Sequence, residues 1–284
     1  MTILRAAQFD ERQIAAAAAL APHAFARPLS ERLLVWLPWL GCGALTLYCF
    51  VIFDFSPLRI WSGLDSLGVV FGLMVPPRSN GFFLEFAYAI LETLAMAFLG
   101  TLLASVFAFF LAFLAARNVL PSRLLRFGTR RGFDFLRGVD VLIWALVFVR
   151  AVGLGPLAGI LAIAVSDTGT LGKLFSEAIE NARSGPVEGV RAAGCNRVKG
   201  VRFGLLPQVL PVMLSNALYM FESNTRSATI LGIVGAGGIG FQLADRIRAH
   251  RWDEACAIIL MVLFTVYAID LLSRRLRMKL IGEG

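Results

Sequence analysis

Residues 229–243 read TILGIVGAGGIGFQL. Gly235, Gly237 and Gly240 have G-x-G-x-x-G spacing and follow the apolar run 230–234. In a soluble βαβ unit, such a run and turn would seat a dinucleotide pyrophosphate on a helix N-terminus. Asp253 and Glu254 stand about where a ribose-binding carboxylate would be sought. In a membrane segment, the same glycines would let backbones approach closely, or break a helix where it is protein-buried or faces water. The surroundings of the stretch choose between these readings.

Of the 284 residues, 58% are hydrophobic and 16% charged, and the mean hydropathy is +0.74. Soluble domains carry about 45–50% apolar and about 25% charged residues. The apolar excess is concentrated in runs that alternate with short basic connectors, several reaching the ~20 residues that cross a bilayer core. The runs are 33–53, 88–116, a block at 139–176, a fifth from Pro207 and Pro211 to about Phe221, and 255–273. The block is too long for one span, and Gly153-Leu154-Gly155-Pro156 divides it into a hairpin of two. Run 33–53 is too long and too far from the N-terminus for a cleaved signal. This pattern predicts an all-α integral membrane protein of about six transmembrane helices. A Rossmann unit has no place beside residues 255–273, which continue as a further span.

Basic residues orient the chain. Arg117, Arg123, Arg126, Arg130, Arg131 and Arg137 follow the second run, Arg183, Arg191, Arg197, Lys199 and Arg202 the fourth, and Arg274, Arg275, Arg277 and Lys279 the last. The connector after the first run has only Arg59 and Arg78. The positive-inside rule then predicts cytoplasmic N- and C-termini. Arg246, Arg248 and Arg251 resist, falling outside, although Asp245, Asp253 and Glu254 balance them. The net charge of +8 follows from this topology and calls for no nucleic-acid partner. Cys42, Cys49, Cys195 and Cys256 show no CxxC pairing, and with only His23 and His250 they support neither a metal site nor a disulfide framework.

The predicted organisation is a cytoplasmic segment 1–32 with a short helix at 13–21, a first transmembrane helix 33–53, a periplasmic connector 54–87, and a membrane core 88–284. The connector contains a nearly apolar stretch, 61–75, short for a span and read as an interfacial helix. The core contains a cytoplasmic loop, 177–207, with helix signals of its own. In GPVEGVRAAG (residues 185–194), Ser184 precedes as a cap and Pro186 stands near the first helical position. Glu188 is placed in the first turn, and Gly194 stops the helix after about two turns. Pro207 marks re-entry into the membrane.

Here the chain resembles a family. Permeases of ABC importers carry the cytoplasmic signature E-A-A-x3-G-x9-I-x-L-P on a short helix that docks on the ATPase subunit. In EGVRAAGCNRVKGVRFGLLP (188–207), Glu188, Gly194, Leu206 and Pro207 fall at those spacings. Gly189 and Val190 replace the two alanines, and Gly204 the isoleucine. With FVRAVGLGPLAGILAIAVSDTGTLGKLFSEAIE (148–180) and FESNTRSATILGIVGAGGIG (221–240), this is similar to the phosphonate-importer permease, the PhnE-type subunit. The resemblance runs from about Glu92 to the C-terminus. It implies a MetI-like core of type I importers, here with an extra N-terminal helix, in the bacterial inner membrane. It also implies a second copy of the chain, two ATPase subunits that bind ATP and Mg, and a periplasmic binding protein. Phosphite and hypophosphite permeases belong to the same group, so the oxyanion stays open. Pro186, Glu188, Gly189, Arg191, Ala192, Gly194 and Pro207 become the expected ATPase-coupling residues.

Polar residues inside the spans come next, because a charge near a bilayer centre costs roughly 2.5–3.5 kcal/mol on insertion scales. Asp167 and Thr168 lie about eleven residues past Pro156, ~16 Å along a helix. Glu222, Ser223, Asn224 and Arg226 begin a similar distance after Pro211. Thr168, Ser223, Asn224 and Arg226 are the candidates for hydrogen-bonding a passing oxyanion. Asp167 would repel an anion, so Asp167, Glu222 and Arg150 are read as structural counter-charges: Glu222 with Arg226 at i, i+4, and Asp167 with Arg150. TGTLGKLF (168–175) has too few residues between Gly169 and Gly172 for a P-loop, two where four are needed, and has Leu174 where the hydroxyl residue belongs, so ATP would be bound by a separate subunit.

The alternative is an ion-gradient-driven secondary transporter of small anions, with Asp167 and Glu222 as ion sites. Such transporters usually show internal repeats, and none is evident in this sequence. The opening stretch accordingly becomes a re-entrant segment at the outer mouth, with Gly235, Gly237, Gly238 and Gly240 as gate residues. Close helix packing alone is the competing reading.

Overall fold

A computed structural model describes Ala19 and residues 29–281. The expected helix at 13–21 lies outside the described residues, apart from Ala19. The chain forms two compact units, Met1–Val69 and Val70–Gly284. Among the described residues all regular structure is helical. In chain order the first helices are α1 (Leu29–Ile52), α2 (Pro57–Met74), α3 (Phe83–Ala115), α4 (Arg123–Gly138) and α5 (Val141–Val152). They are followed by α6 (Pro156–Glu180), α7 (Ser184–Ala192), α8 (Leu206–Leu231), α9 (Gly238–Arg248) and α10 (Trp252–Ile281). Wider, π-type turns at Gly200–Leu205 and Gly232–Ala236 lead into and out of α8.

Among the described residues, five helical stretches are long and apolar enough to cross a membrane: Val35–Ile52, Phe83–Ala115, Pro156–Glu180, Arg197–Ala236 and Trp252–Lys279. The third expected span, α5, has only 12 residues, about 18 Å against a core of about 30 Å. Before it stands α4, a helix within what reads from the sequence as a basic connector. The fifth span, expected to end near Phe221, continues as α8 to Leu231, so Glu222–Arg226 sits within a helix.

The core is built around α3. Ala104, Ala108, Ala112 and Ala116 recur every fourth residue and are fully buried. They make a flat strip on a helix otherwise rich in Phe and Leu, against which Leu171, Phe175 and Ile179 of α6 and Val209 and Met213 of α8 pack. Small residues of this kind let membrane helices approach closely. At Gly100 an added Cβ would come within 2.7 Å of the Ile163 side chain. Helices α3 and α6 run in the same direction and are joined at their C-terminal ends. There Asn118 Nδ2 donates to Ile179 O (2.7 Å) and Arg117 N to Glu180 Oε1 (2.8 Å).

The glycines of the false P-loop have a packing role. Gly172 leaves the notch that the Phe133 ring of α4 fills, and an added Cβ at Gly169 would meet Phe133 O at 2.8 Å and Arg137 N at 2.9 Å.

Candidate functional site

Helix α6 carries Asp167 and Thr168, and α8 carries Glu222 to Arg226. The two sets meet. Asn224 Nδ2 donates to Asp167 Oδ2 and to Thr101 Oγ1 of α3 at 2.8 Å. All three are buried, so one amide ties three helices together. Thr168 is buried as well, and its hydroxyl donates to Ala164 O at 2.6 Å. The expected Asp167–Arg150 pair is corrected here: Arg150 is exposed on α5, and the polar partner of Asp167 is a neutral amide.

Buried Glu222 faces the other way. Its Oε2 accepts from Arg277 Nη2 of α10 at 2.7 Å, while Arg226 Nη2 stands 3.7 Å from Oε1. Arg277, also over the Tyr219 ring, is a site residue that sequence reasoning misses. It reads there only as an orienting charge, and the 55 residues separating it from Glu222 leave no local signal. Arg226 keeps 52% of its side chain exposed, and Ser223 is half-buried. Of the four expected oxyanion contacts, Thr168 and Asn224 are thus engaged within the protein, while Arg226 and Ser223 retain exposed surface.

In the loop 177–207, α7 has no buried residue. Two details differ from expectation. Arg183, not Ser184, is the N-cap, without a side-chain cap bond, and Glu188 lies beyond the first turn. Gly194 does terminate the helix: it adopts φ +79° and its N–H donates to Arg191 O at 2.9 Å. Pro207 stands in the first turn of α8, where the π-type turn passes into it. Gln208 clasps the base of α7, accepting from Arg183 N and donating to Arg183 O, both at 3.2 Å. Gly204, which departs from the family signature, underlies α7 directly. An added Cβ there would be 2.8 Å from Val187 Cα and 3.1 Å from Pro186 O. Pro186, Glu188, Gly189, Arg191 and Ala192 remain exposed.

The opening glycines form a backbone crossing. The turn at Gly232–Ala236 doubles back into α9, and an added Cβ at Gly240 would run into Thr229 O. At Gly232 it would be 2.7 Å from Gly240 Cα. Gly235, Gly237 and Gly238 have φ of +100°, +82° and +71°, a region that L side chains rarely adopt. The segment is tied to the bundle where Gly155 N donates to Gly235 O (3.1 Å) and Ile239 N to Thr93 Oγ1 (2.9 Å).

Beyond it, two of the three arginines that resisted the topology, Arg246 and Arg251, are neutralised locally. Arg246 Nε lies 2.8 Å from Glu254 Oε2 and its Nη1 2.9 Å from Asp245 Oδ2. Arg251 pairs with Glu254 Oε1, and Asn80 donates to the same oxygen at 2.8 Å. Arg246 and Glu254 are buried, with the Phe82 and Phe86 rings under the Arg246 guanidinium. Among the described residues no group of three or more His, Cys, Asp or Glu is placed to hold a metal ion.

Residues 108–280 match the family described as the inner membrane component of binding-protein-dependent transport systems. The chain belongs to this family. Among relatives of this transport-permease family, the phosphite transport system permease protein PtxC of Stutzerimonas stutzeri is 39% identical over 83% of this chain and 85% of its own. The phosphate-import permease protein PhnE of Mycolicibacterium smegmatis is 38% identical over 82% of this chain. The match spans 44% of that longer protein. Among solved structures, an inward-facing MetNI methionine ABC transporter aligns with a TM-score of 0.61 at 21% identity, covering 72% of this chain and 99% of that one. The fold is therefore that of a MetI-like ABC permease, and the chain is a membrane transport component.

Proposed function

We propose that this chain is the permease subunit of an ATP-driven importer of phosphonates or related phosphorus oxyanions. Two copies would form the path in the bacterial inner membrane, both termini would face the cytoplasm, and a periplasmic binding protein would deliver the anion. The proposed coupling element is α7. It projects without a buried residue, yet it is fixed to the first turn of α8 by Gln208 and by the absence of a side chain at Gly204. That combination of a free outer face and a fastened base carries the reading, because a docking partner can then move α8 through it. ATP and Mg belong to the ATPase partners, and no P-loop is present in this sequence.

The oxyanion class rests on the quoted sequence resemblance and on relatives named for phosphite and phosphate. On this reading Arg226 and Ser223 meet the anion. Thr168 and Asn224 shape the helix junction behind them, and Asp167 and Glu222 hold that junction and its arginines in place. The glycine crossing would serve as a gate by virtue of its tight fit: where backbones touch, a small separation of α8 from α9 opens a path. The test is ATP-dependent uptake in vesicles containing the chain, its ATPase and its binding protein, comparing methylphosphonate, phosphite and phosphate. Uptake of at least one of them with ATP is the expected result. Uptake driven by a proton gradient in the absence of ATP would overturn the reading in favour of secondary transport.

A further inference from the structure

Helix α4 takes no part in the sites above. Its residues sort onto three faces. Thr129, Phe133 and Leu136 turn inward, with Phe133 seated in the α6 notch. Arg123, Arg126, Arg130 and Arg137 form a second stripe. Leu124, Phe127, Gly128, Arg131 and Phe135, spaced i, i+3, i+4, i+7 and i+11, form a third that points away from the bundle. On it Leu124 is 82%, Phe127 63% and Phe135 65% exposed.

Two of the helix's five arginines have carboxylate partners: Arg130 on Glu180 at 2.6 Å and Arg131 on Asp134 at 2.9 Å. Arg123, Arg126 and Arg137 have no ion-pair partner among the described residues. The Arg130–Glu180 bond also fixes where α4 lies. Glu180 ends α6 and Ala115 ends α3, and both helices are candidate spans. On the proposed topology their joint end lies at a membrane boundary; α4 begins beside it and runs back along α6 until Arg137 N is level with Gly169.

We propose that α4 is a docking surface for anionic phospholipid headgroups, with Arg123 and Arg126 holding the phosphates and Leu124, Phe127 and Phe135 inserted among the acyl chains. The choice of occupant follows from the juxtaposition. Large apolar side chains exposed along one face, bordered by unneutralised arginines and placed at the end of two spans, match a surface that is apolar below and anionic above. A folded protein partner would have to supply both an apolar groove and two carboxylates in the same register.

The test uses the full-length chain carrying Phe127→Trp, reconstituted in vesicles with either brominated phosphatidylglycerol or brominated phosphatidylcholine at equal mole fraction. The readout is the fluorescence that the introduced indole adds over the parent chain, which has five tryptophans. The expected result is quenching stronger by about twofold with the anionic lipid, weakening as salt is raised. The preference should disappear when R123Q and R126Q are combined. Equal quenching by the two lipids overturns the proposal. So does an absence of quenching by either, which would mean that a second copy or another protein covers the face. Neither result depends on transport, so the proposed substrate stands or falls separately.

Discussion

Asp167 is a carboxylate buried among three helices, and its side-chain partner is the amide of Asn224. A buried acceptor that loses its donor bears the full desolvation cost of that group, about 1–3 kcal/mol and more when it is charged. Asn224→Ala should therefore lower the thermal unfolding temperature of the detergent-purified protein clearly. Asp167→Asn keeps a side chain of the same shape able to bond an amide and removes the buried charge, so it should leave stability near the parent value or above it. Equal losses from both would show that the charge itself holds the junction. This site is only partly legible in the sequence. Depth along each run points to residues 167 and 224, but charge alone chooses Arg150 as the partner. Thr101 is invisible inside an apolar run, because one hydroxyl that also bonds its own helix, to Ala97 O at 2.7 Å, leaves no mark on hydropathy.

Among the helices, α7 and α4 show opposite fates of the same kind of signal. The stop at Gly194 is legible because a glycine at that position has one dominant use, a left-handed residue past a helix end. The capping role expected of Ser184 is not realised, since the chain turns into the helix one residue earlier. Helix α4 is hidden because its arginines, taken as a set, look like an orienting cluster. Only the packing of Phe133 into the glycine notch reveals that the same residues keep a helical period. Gly204 offers the sharpest check. Gly204→Ile restores the residue of the importer-permease signature, yet a side chain there would meet the Val187 backbone. This change should displace α7 and reduce ATPase stimulation by the assembled complex by an order of magnitude or more, while Gly189→Ala, where an added Cβ has open space, should not. Normal stimulation by Gly204→Ile would mean that α7 is not held as described.

For the chain as a unit, the sequence order of the long spans is legible because it rests on long-run hydropathy. The short α5 and the extended α8 are not, because π-type turns and helix continuation are settled by tertiary packing. Arg150 and Arg226 lie exposed on helices of the membrane bundle. Facing lipid near its centre, such a charge costs roughly 2.5–3.5 kcal/mol; facing a second copy across a wet path, it is solvated. On the proposed function Arg226→Ala should abolish uptake while the complex with the ATPase still co-purifies. Unaltered uptake by that variant would remove Arg226 from the path, and failure to co-purify would make it a structural residue.

Helix α8 is continuous over 26 residues, about 39 Å. It carries the Gln208 clasp at its start, Glu222 and Asn224 further along, and the glycine crossing at its end. A rod of that length transmits displacement without storing much of it, since helices bend more readily than they shorten. On the proposed reading, a partner moving α7 would shift both ends of the rod together, leaving no resting state in which the cytoplasmic end has answered ATP and the outer end has not.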